Sequence, residues 1–338
     1  MRNRKYTIQL SSLLLLLLVL IILDISLGTV RIPFRDILGT LAGKPGIDSQ
    51  HHLIISGFRI PRVLTGLLAG AALSVSGLQM QTIFRNPLAG PYVLGISSGA
   101  SLGAAIILLG TGAMATGILA RWGIVAAAWL GAAAVMFILL LVTIRIRSIM
   151  TILILGIMFS SGLSAIISIM QYFGNAAALK SFVIWSLGSL GDVSGSSLTI
   201  LLITILPGLM LAVLSVKGLN AMSLGEENAG LLGINVRATR ILVFASTSIL
   251  AGSITAFCGP IGFIGIAVPH ITRFLTGRSD MRYLLPATII MGMVIMVASD
   301  IISQVPGSDR ILPINAITSL IGIPVVIWVV ISKRKSMI

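Results

Sequence analysis

The side chains that could do chemistry are few and scattered in this sequence. Cys258 is the only cysteine, so the chain can form neither an internal disulfide nor a thiolate metal site. His270 follows Pro269, and no second ligand stands at a spacing that would hold a metal ion. His51 and His52 could contact a haem, but we interpret them as solvated loop residues. These patterns predict no metal site.

The motifs of the common enzyme classes are missing from the sequence. Residues 39–45 approach the G-x-x-x-x-G-K-[ST] nucleotide loop but have the wrong spacing and lack the hydroxyl that would hold Mg²⁺. The chain also lacks H-E-x-x-H, G-x-S-x-G and paired aspartates within its apolar segments. We therefore predict that it is not an enzyme, carries no cofactor and cannot hydrolyse ATP itself.

Three arginines and one aspartate stand near the ends of apolar runs. Arg59 and Arg62 are three residues apart and would face one side of a helix, and Arg310 lies at another break. Asp300 is an acid inside an apolar run, which makes it a functional candidate. Because water or a neighbouring arginine could satisfy it near the end of that run, we favour a structural role.

Long apolar segments must position these residues. The chain is 57% hydrophobic and 9% charged, and a helical bilayer crossing needs about 20 apolar residues. Residues 8–27 are longer than a signal-peptide core and lead to a poor cleavage site, so we interpret them as a retained span. We predict an all-α polytopic membrane protein with ten spans, the eighth of them short. They fall near residues 8–28, 61–83, 91–110, 118–143, 150–171, 193–215, 239–258, 262–276, 284–303 and 313–332.

The formal net charge of +14 reflects membrane orientation rather than nucleic-acid binding, because the basic residues form no long run. With the amino terminus inside, 15 of the 23 basic residues fall in the cytoplasmic breaks, as the positive-inside rule requires. Both termini are thus predicted to be cytoplasmic.

Small residues at four-residue spacing, such as Gly66 and Gly70, predict a tightly packed bundle. Prolines at the breaks suggest a translocation path or simply reflect membrane-helix composition.

Several segments resemble the permease family of iron-siderophore, haem and cobalamin importers driven by ATP-binding-cassette (ABC) ATPases. The similarity is collinear from about residue 30 to residue 331. The segments are RIPRVL (59–64), RNPLAGP (85–91), GISSGA (95–100), WSLGSL (185–190), LGEENA (224–229), GPIGFIG (259–265), VPHITR (268–273) and LPINAIT (312–318). The resemblance implies a type II ABC importer permease fold, with residues 1–338 forming a single transmembrane domain in the bacterial cytoplasmic (inner) membrane.

The resemblance also implies partners. A separate ABC ATPase subunit would bind ATP and Mg²⁺ and contact a cytoplasmic coupling segment, residues 218–237, which contains the only glutamates of the chain. A second permease chain, most simply in a homodimer, would complete the path. A periplasmic or lipid-anchored substrate-binding protein would deliver the cargo. The residues implied in coupling are Leu224, Gly225, Glu226, Glu227, Ala229 and Leu232.

Two further sites follow from the resemblance. A cytoplasmic gate is expected where Asn86 and Leu88 meet Ile149 and Met150. The outer arginines would receive glutamates of the binding protein through bidentate contacts, although snorkelling to the membrane interface is the alternative. These docking candidates are Arg59, Arg62 and Arg310.

The cargo is not fixed by the sequence. An iron-siderophore is the first choice because it is the commonest cargo of the family, and haem and cobalamin stay open. A secondary transporter or channel for a small solute is the alternative function. It would need coupling-ion sites of its own within the membrane.

Overall fold

The computed structural model of the protein describes residues 2–28, 30, 32–43, 48–110, 118–145, 148–305 and 311–335, and this part of the chain contains helices but no strands. A π-helical turn, Ile55–Arg59, precedes α4, and a 3-10 turn, Pro91–Leu94, precedes α5. The α-helices are α1 (Arg2–Ser26), α2 (Phe34–Leu41), α3 (Ser49–Ile54), α4 (Ile60–Ile83), α5 (Ile96–Gly110), α6 (Ile118–Arg145), α7 (Ile149–Phe173), α8 (Ala176–Ser186), α9 (Ser196–Leu214), α10 (Val216–Ser223), α11 (Glu226–Leu231), α12 (Val236–Cys258), α13 (Ile264–Thr276), α14 (Met281–Ser303) and α15 (Ile314–Lys335).

Each predicted span coincides with one of these helices, which confirms the all-α polytopic architecture. Seven helical segments within the described residues are long and apolar enough to cross a membrane. Three spans are shorter: α5 has 15 residues, α13 has 13, and the apolar part of α15 covers Ile314–Val329. The short eighth span is α13. The sequence did not predict the short helices α2, α3 and α8.

The interior of the bundle is built around α4. This helix is buried over most of its length, and α12 and α14 are buried over more than half, whereas most residues of α1, α6, α7 and α9 are not fully buried within the chain. Small residues allow the close contact of α4 with α14. A Cβ atom on Gly70 would lie 2.3 Å from the backbone oxygen of Gly292, and the Ser74 hydroxyl donates to the Thr288 carbonyl at 3.1 Å. Close backbone contact stabilises helix association in lipid.

The antiparallel pair of α4 and α14 separates two groups of candidate residues. Because a helix rises about 1.5 Å per residue, the 24 residues of α4 extend over about 36 Å. Arg59 and Arg62 lie at its beginning, and the predicted gate residue Asn86 follows its end. The two groups therefore lie at opposite ends of the bundle, the first at the predicted outer end and the second at the predicted cytoplasmic end.

Candidate functional site

The coupling segment forms two short helices joined by a tight turn. The chain leaves α10 through Leu224 and Gly225, whose amide groups donate to Ala221 and Met222 at 3.0 Å each. Gly225 has φ 114°, a backbone conformation that favours glycine. It can therefore start α11 in a new direction immediately after α10. The predicted coupling residue Gly225 thus lies at the turn itself.

One side of α11 is fixed to the bundle. The Arg240 guanidinium on α12 forms a salt bridge with the Glu226 carboxylate, and its Nε donates to the same oxygen at 3.1 Å. Arg240 is only 5% exposed, and the Ala229 side chain is fully buried. The predicted coupling residues Glu226 and Ala229 therefore hold α11 in place.

The other side of the coupling segment is apolar and exposed. Leu224 and Leu232, both predicted, are 61% and 62% exposed, and Leu231, which the sequence analysis missed, is 87% exposed. Glu227 is exposed beside them. Exposed leucines grouped on one short segment are typical of a contact surface. Leu231 directly precedes the predicted residue Leu232 in the sequence, and this pair of leucines before Gly233 was the signal that could have identified it.

The predicted gate residues lie in the turn after α4 and at the start of α7. The Asn86 side chain accepts a hydrogen bond from the Leu88 amide at 2.9 Å, which closes the turn. Leu88 and Met150 are 39% and 57% exposed. Ile149 is the first residue of α7, and its side chain lies outside the described part of the structure. The gate assignment stays a prediction.

A hydrogen bond connects this turn with α13. The His270 Nε2 atom lies 2.8 Å from the Pro87 carbonyl oxygen, a distance at which a protonated Nε2 donates to it. One turn further along α13, Arg273 donates to the Gln81 side chain at 2.6 Å. The short helix α13 thus fixes both the end of α4 and the turn that follows it.

The arginine cluster, which we define as Asp24, Arg59, Arg62 and Asp300, lies at the predicted outer end. Arg62 donates to both oxygens of Asp300 at 2.8 Å, in a bidentate pair. Asp300 is 1% exposed, and Ser303 accepts a further bond from Arg62 at 3.2 Å. The expectation that a neighbouring arginine satisfies Asp300 is confirmed.

Arg59 is also bonded within the chain. It is 9% exposed and donates to the carbonyl oxygens of Ile25, Ser26 and Val30 at the end of α1. Arg310 lies outside the described residues. Neither Arg59 nor Arg62 is a free surface charge, so binding-protein docking through these arginines stays a prediction that must account for their internal bonds.

Asp24 was missed by the sequence analysis, although it is an acid in an apolar run like Asp300. It is 2% exposed, and its Oδ1 accepts a hydrogen bond from Gln304 at 2.6 Å. Gln304 therefore connects α1 to the end of α14. Together with the Arg59 bonds, this contact fixes α1 to α4 and α14 at the outer end.

A cavity of about 950 Å³ adjoins the arginine cluster, within the usual size range of small-molecule sites. Its lining contains Arg59, Arg62, Asp192 and Gln304 together with three serines and with apolar side chains including Trp185. Among the residues described, no three His, Cys, Asp or Glu side chains are grouped to hold a metal ion. The interpretation of His51 and His52 as loop residues was wrong, because both lie in α3, and His51 pairs with Asp36, Nδ1 to Oδ2, at 2.7 Å.

Known proteins resemble this chain over almost its full length. A profile of the FecCD transport family matches residues 16–332. The hemin transport permease HmuU of Yersinia pestis is 33% identical, with 97% of this chain and 96% of HmuU aligned. The vitamin B12 import permease BtuC of Klebsiella pneumoniae is 37% identical, with 98% and 95% aligned. The uncharacterized ABC transporter permease YvrB of Bacillus subtilis is 36% identical, with 99% and 96% aligned.

A solved structure has the same fold. It is described as an inward-facing conformation of an ABC transporter of the metal-chelate type, is 29% identical, and superposes with a TM-score of 0.82 over 96% of this chain and 98% of its own. The family resemblance inferred from the sequence motifs is confirmed. The chain belongs to the FecCD transport family, whose members are membrane permeases of ABC importers.

Proposed function

We propose that this chain forms the translocation path for a metal chelate and receives energy from a separate ATPase subunit through its coupling segment. The observation that carries the proposal is the exposure of Leu224, Leu231 and Leu232 on a segment whose other side is fixed to the bundle. An ATPase subunit with an apolar cleft would cover these leucines. The Glu226–Arg240 salt bridge would then transmit a displacement of α11 to α12.

The cargo we propose is an iron-siderophore, with haem and cobalamin as the other members of the same chemical class. The names of the relatives assign hemin to HmuU and vitamin B12 to BtuC. Both cargoes are metal chelates, so the class is supported by relatives of similar identity. The choice within the class rests on the frequency of siderophore cargo in the family alone.

A second copy of the chain would complete the path. The helix α7 exposes an apolar face that its own bundle leaves uncovered, and a homodimer would cover part of it. The exposed apolar residues of α7 include Met150, Ile154, Ile157, Met158, Ile166, Ile169 and Phe173. We propose both termini in the cytoplasm, which places the coupling segment on the side where ATP is available.

The gate is proposed at the turn after α4, where Leu88 would meet Met150 of the second chain. Apolar side chains can close a pore by excluding water. Cysteines placed at positions 88 and 150 should crosslink across the dimer in one nucleotide state. Equal crosslinking in every nucleotide state would argue against a gate there.

Docking of a binding protein at the predicted outer end remains part of the proposal. Charge reversal of Arg59 and Arg62 would also break their internal bonds, so it cannot test docking alone. The informative variant is Arg62→Met with Asp300→Leu, which removes the ion pair as a unit. Unchanged association of the binding protein with this variant would exclude Arg62 as a docking residue.

Transport by the reconstituted importer tests the proposal. The chain, its ATPase and its binding protein are placed in proteoliposomes, with ATP on the side of the coupling segment. A ferric siderophore, hemin and cyanocobalamin are then supplied separately on the other side. We expect ATP-dependent accumulation of one of them, and no ATP hydrolysis by the isolated chain. Accumulation that needs no ATPase would instead support a secondary transporter or channel, and hydrolysis by the isolated chain would overturn the proposal.

A further inference from the structure

A side chain of α10 forms two hydrogen bonds with the beginning of α14. The Asn220 Nδ2 atom donates to the Asp280 carboxylate at 2.8 Å, and the Asn220 Oδ1 atom accepts from the Met281 amide at 2.8 Å. Asp280 is the N-cap residue of α14, and its carboxylate also accepts from the Arg282 amide at 2.9 Å. One carboxamide group therefore contacts both the cap and the first free amide of the helix.

The two hydrogen bonds fix the orientation of the Asn220 side chain as well as its distance from the start of α14. A carboxamide holds its donor and acceptor in one plane, so two simultaneous bonds define the orientation of the side chain. The bond to Asp280 has a charged acceptor, which makes it stronger than a bond between neutral groups. The free amide groups of a first helical turn need such partners. We call this pair of bonds the Asn220 clasp.

The clasp lies between the coupling segment and the rigid pair of α4 and α14. On one side, α10 continues through the tight turn at Leu224 and Gly225 into α11, with its exposed leucines. On the other side, α14 is held to α4 by the glycine contact near its middle and by the Arg62–Asp300 ion pair near its far end. A displacement of α10 that reaches α14 would therefore move both helices.

The loop that joins α13 to α14 is also fixed to α1. The Arg278 guanidinium lies over the rings of Tyr283 and Tyr6, at 3.9 Å and 4.9 Å from their centres. The Tyr6 hydroxyl donates to the Tyr283 carbonyl at 2.9 Å, and Gln9 donates to the Leu275 carbonyl at 2.7 Å. The loop before α14 is thus held from two sides, and the Asn220 clasp is the side that belongs to the coupling segment.

We propose that Asn220 is the positioning residue that transmits movement of the coupling segment to α14. This inference rests on the proposed function, because it presupposes that an ATPase subunit moves the coupling segment. It assigns a role to a residue that contacts neither the cargo nor the nucleotide. The movement would pass from the exposed leucines through α10 and Asn220 into α14, and along α14 to the arginine cluster at the other end.

The pair of Asn220 and Asp280 permits an exchange experiment. Asn220→Asp places two carboxylates side by side and removes the donor, so it should break the clasp. Asn220→Asp combined with Asp280→Asn restores one amide and one carboxylate. The new carboxylate can accept from the Met281 amide and, once the new asparagine turns its amide nitrogen towards position 220, from that nitrogen as well. The cap bond from the Arg282 amide is then lost, because in the unmodified chain one Asp280 oxygen, Oδ1, accepts from both Asn220 and Arg282. The double variant should still re-form the clasp.

The measurement is the amount of chelate transported per ATP hydrolysed by the complete importer in proteoliposomes. Since coupling between sites typically changes an equilibrium by about 5-fold to 150-fold, we expect Asn220→Asp to lower this ratio at least about fivefold. The double variant should recover most of it. The matched control is Asn175→Asp, which keeps its capping oxygen at the start of α8, at the other end of the bundle.

Two outcomes would overturn the assignment. One is an unchanged ratio in Asn220→Asp, and if the thermal stability falls at the same time, the clasp only stabilises the fold. The other is a double variant that transports as poorly as the single variant.

Hydrogen exchange separates failure of the clasp from failure of the proposed function. In the isolated unmodified chain, the Met281 amide should exchange slowly, and Asn220→Ala should accelerate its exchange. Rapid exchange in the unmodified chain would show that the clasp does not form. An unmodified importer that transports no chelate would overturn the proposed function, and with it the role of Asn220, whatever the exchange of Met281.

Discussion

The two ends of the bundle use charged residues in opposite ways. In the arginine cluster, Arg62 and Asp300 form a buried bidentate pair, and Arg59 donates hydrogen bonds to carbonyl groups of the same chain. In the coupling segment, the salt bridge between Glu226 and Arg240 lies beside leucines that are exposed. At the first end the charged side chains bond within the chain, whereas at the second end only one side of α11 is bonded to the bundle and its leucines stay exposed. The arginines of the first end thus stabilise the fold, whereas the leucines of the second end leave an apolar surface that we propose an ATPase subunit covers.

The largest effect should follow from breaking the buried ion pair. Arg62→Met leaves the Asp300 carboxylate buried without its partner, and the loss of one member of a buried pair typically costs about 3–5 kcal/mol. We expect a large drop in the thermal unfolding midpoint of the chain in detergent. Arg62→Met with Asp300→Leu should recover most of it. Equal loss in the single and double variants would mean that the side chains matter through their shape and not through their charge.

A smaller effect, on association alone, should follow from changing the exposed leucines. Full burial of a leucine contributes about 1.5–3 kcal/mol, so Leu231→Asn with Leu232→Asn should weaken binding of the ATPase subunit strongly. The unfolding midpoint should not change, because both side chains are more than half exposed in the chain alone. Pull-down with the ATPase and thermal unfolding measure the two quantities. A fall in stability with intact association would reverse the contrast between the two ends.

The fold was largely predictable from the sequence, and the internal bonds were not. Apolar runs and breaks located every predicted span to within a few residues, because the bilayer fixes their length. The missed helix α8 is too short to produce such a signal. Arg59 and Arg62 lie near the start of the predicted span, but the helical segment extends back through the π-helical turn to Ser49. Their partners come from α1 and from α14, over 200 residues away in the second case. A pairing set by tertiary packing leaves no local pattern in the sequence.

The same limit applies to the coupling segment. The sequence showed two glutamates in an otherwise apolar stretch, and the structure distinguishes them: Glu226 is bonded to Arg240, and Glu227 is exposed. The orientation of a helix as short as α11 depends on the turn at Gly225 and on the burial of Ala229. Neither could be derived from periodicity over six residues.

Breaking the salt bridge of the coupling segment should lower the thermal stability of the chain by a moderate amount. Glu226→Ala removes the carboxylate that accepts from the buried Arg240 guanidinium, at a cost of about 1–3 kcal/mol, and the partial exposure of Glu226 should reduce this cost to the lower end of the range. Glu226→Gln keeps an acceptor oxygen and should cost less. Thermal unfolding compares the two variants, with Glu227→Ala as the control. A control variant that is destabilised as much as Glu226→Ala would contradict the distinction between the two glutamates.

The smallest effect concerns the exposed Asp280 at the predicted cytoplasmic end. The pKa of Asp280 lies below its usual range, because the Arg282 amide and the Asn220 side chain donate to its carboxylate. A carboxylate with a lowered pKa in the folded state contributes stability above its unfolded pKa, about 3.9, and this contribution is lost as the pH falls through the folded pKa.

Asn220→Ala removes one donor, so the pKa of Asp280 should rise towards its usual value. The stability difference between the unmodified chain and Asn220→Ala should therefore be constant near neutral pH and shrink in acid below about pH 4. Arg62→Met provides the contrast, because it does not alter the donors to Asp280. Unfolding midpoints measured across this range would contradict the Asn220 clasp if the difference stayed constant into the most acidic samples.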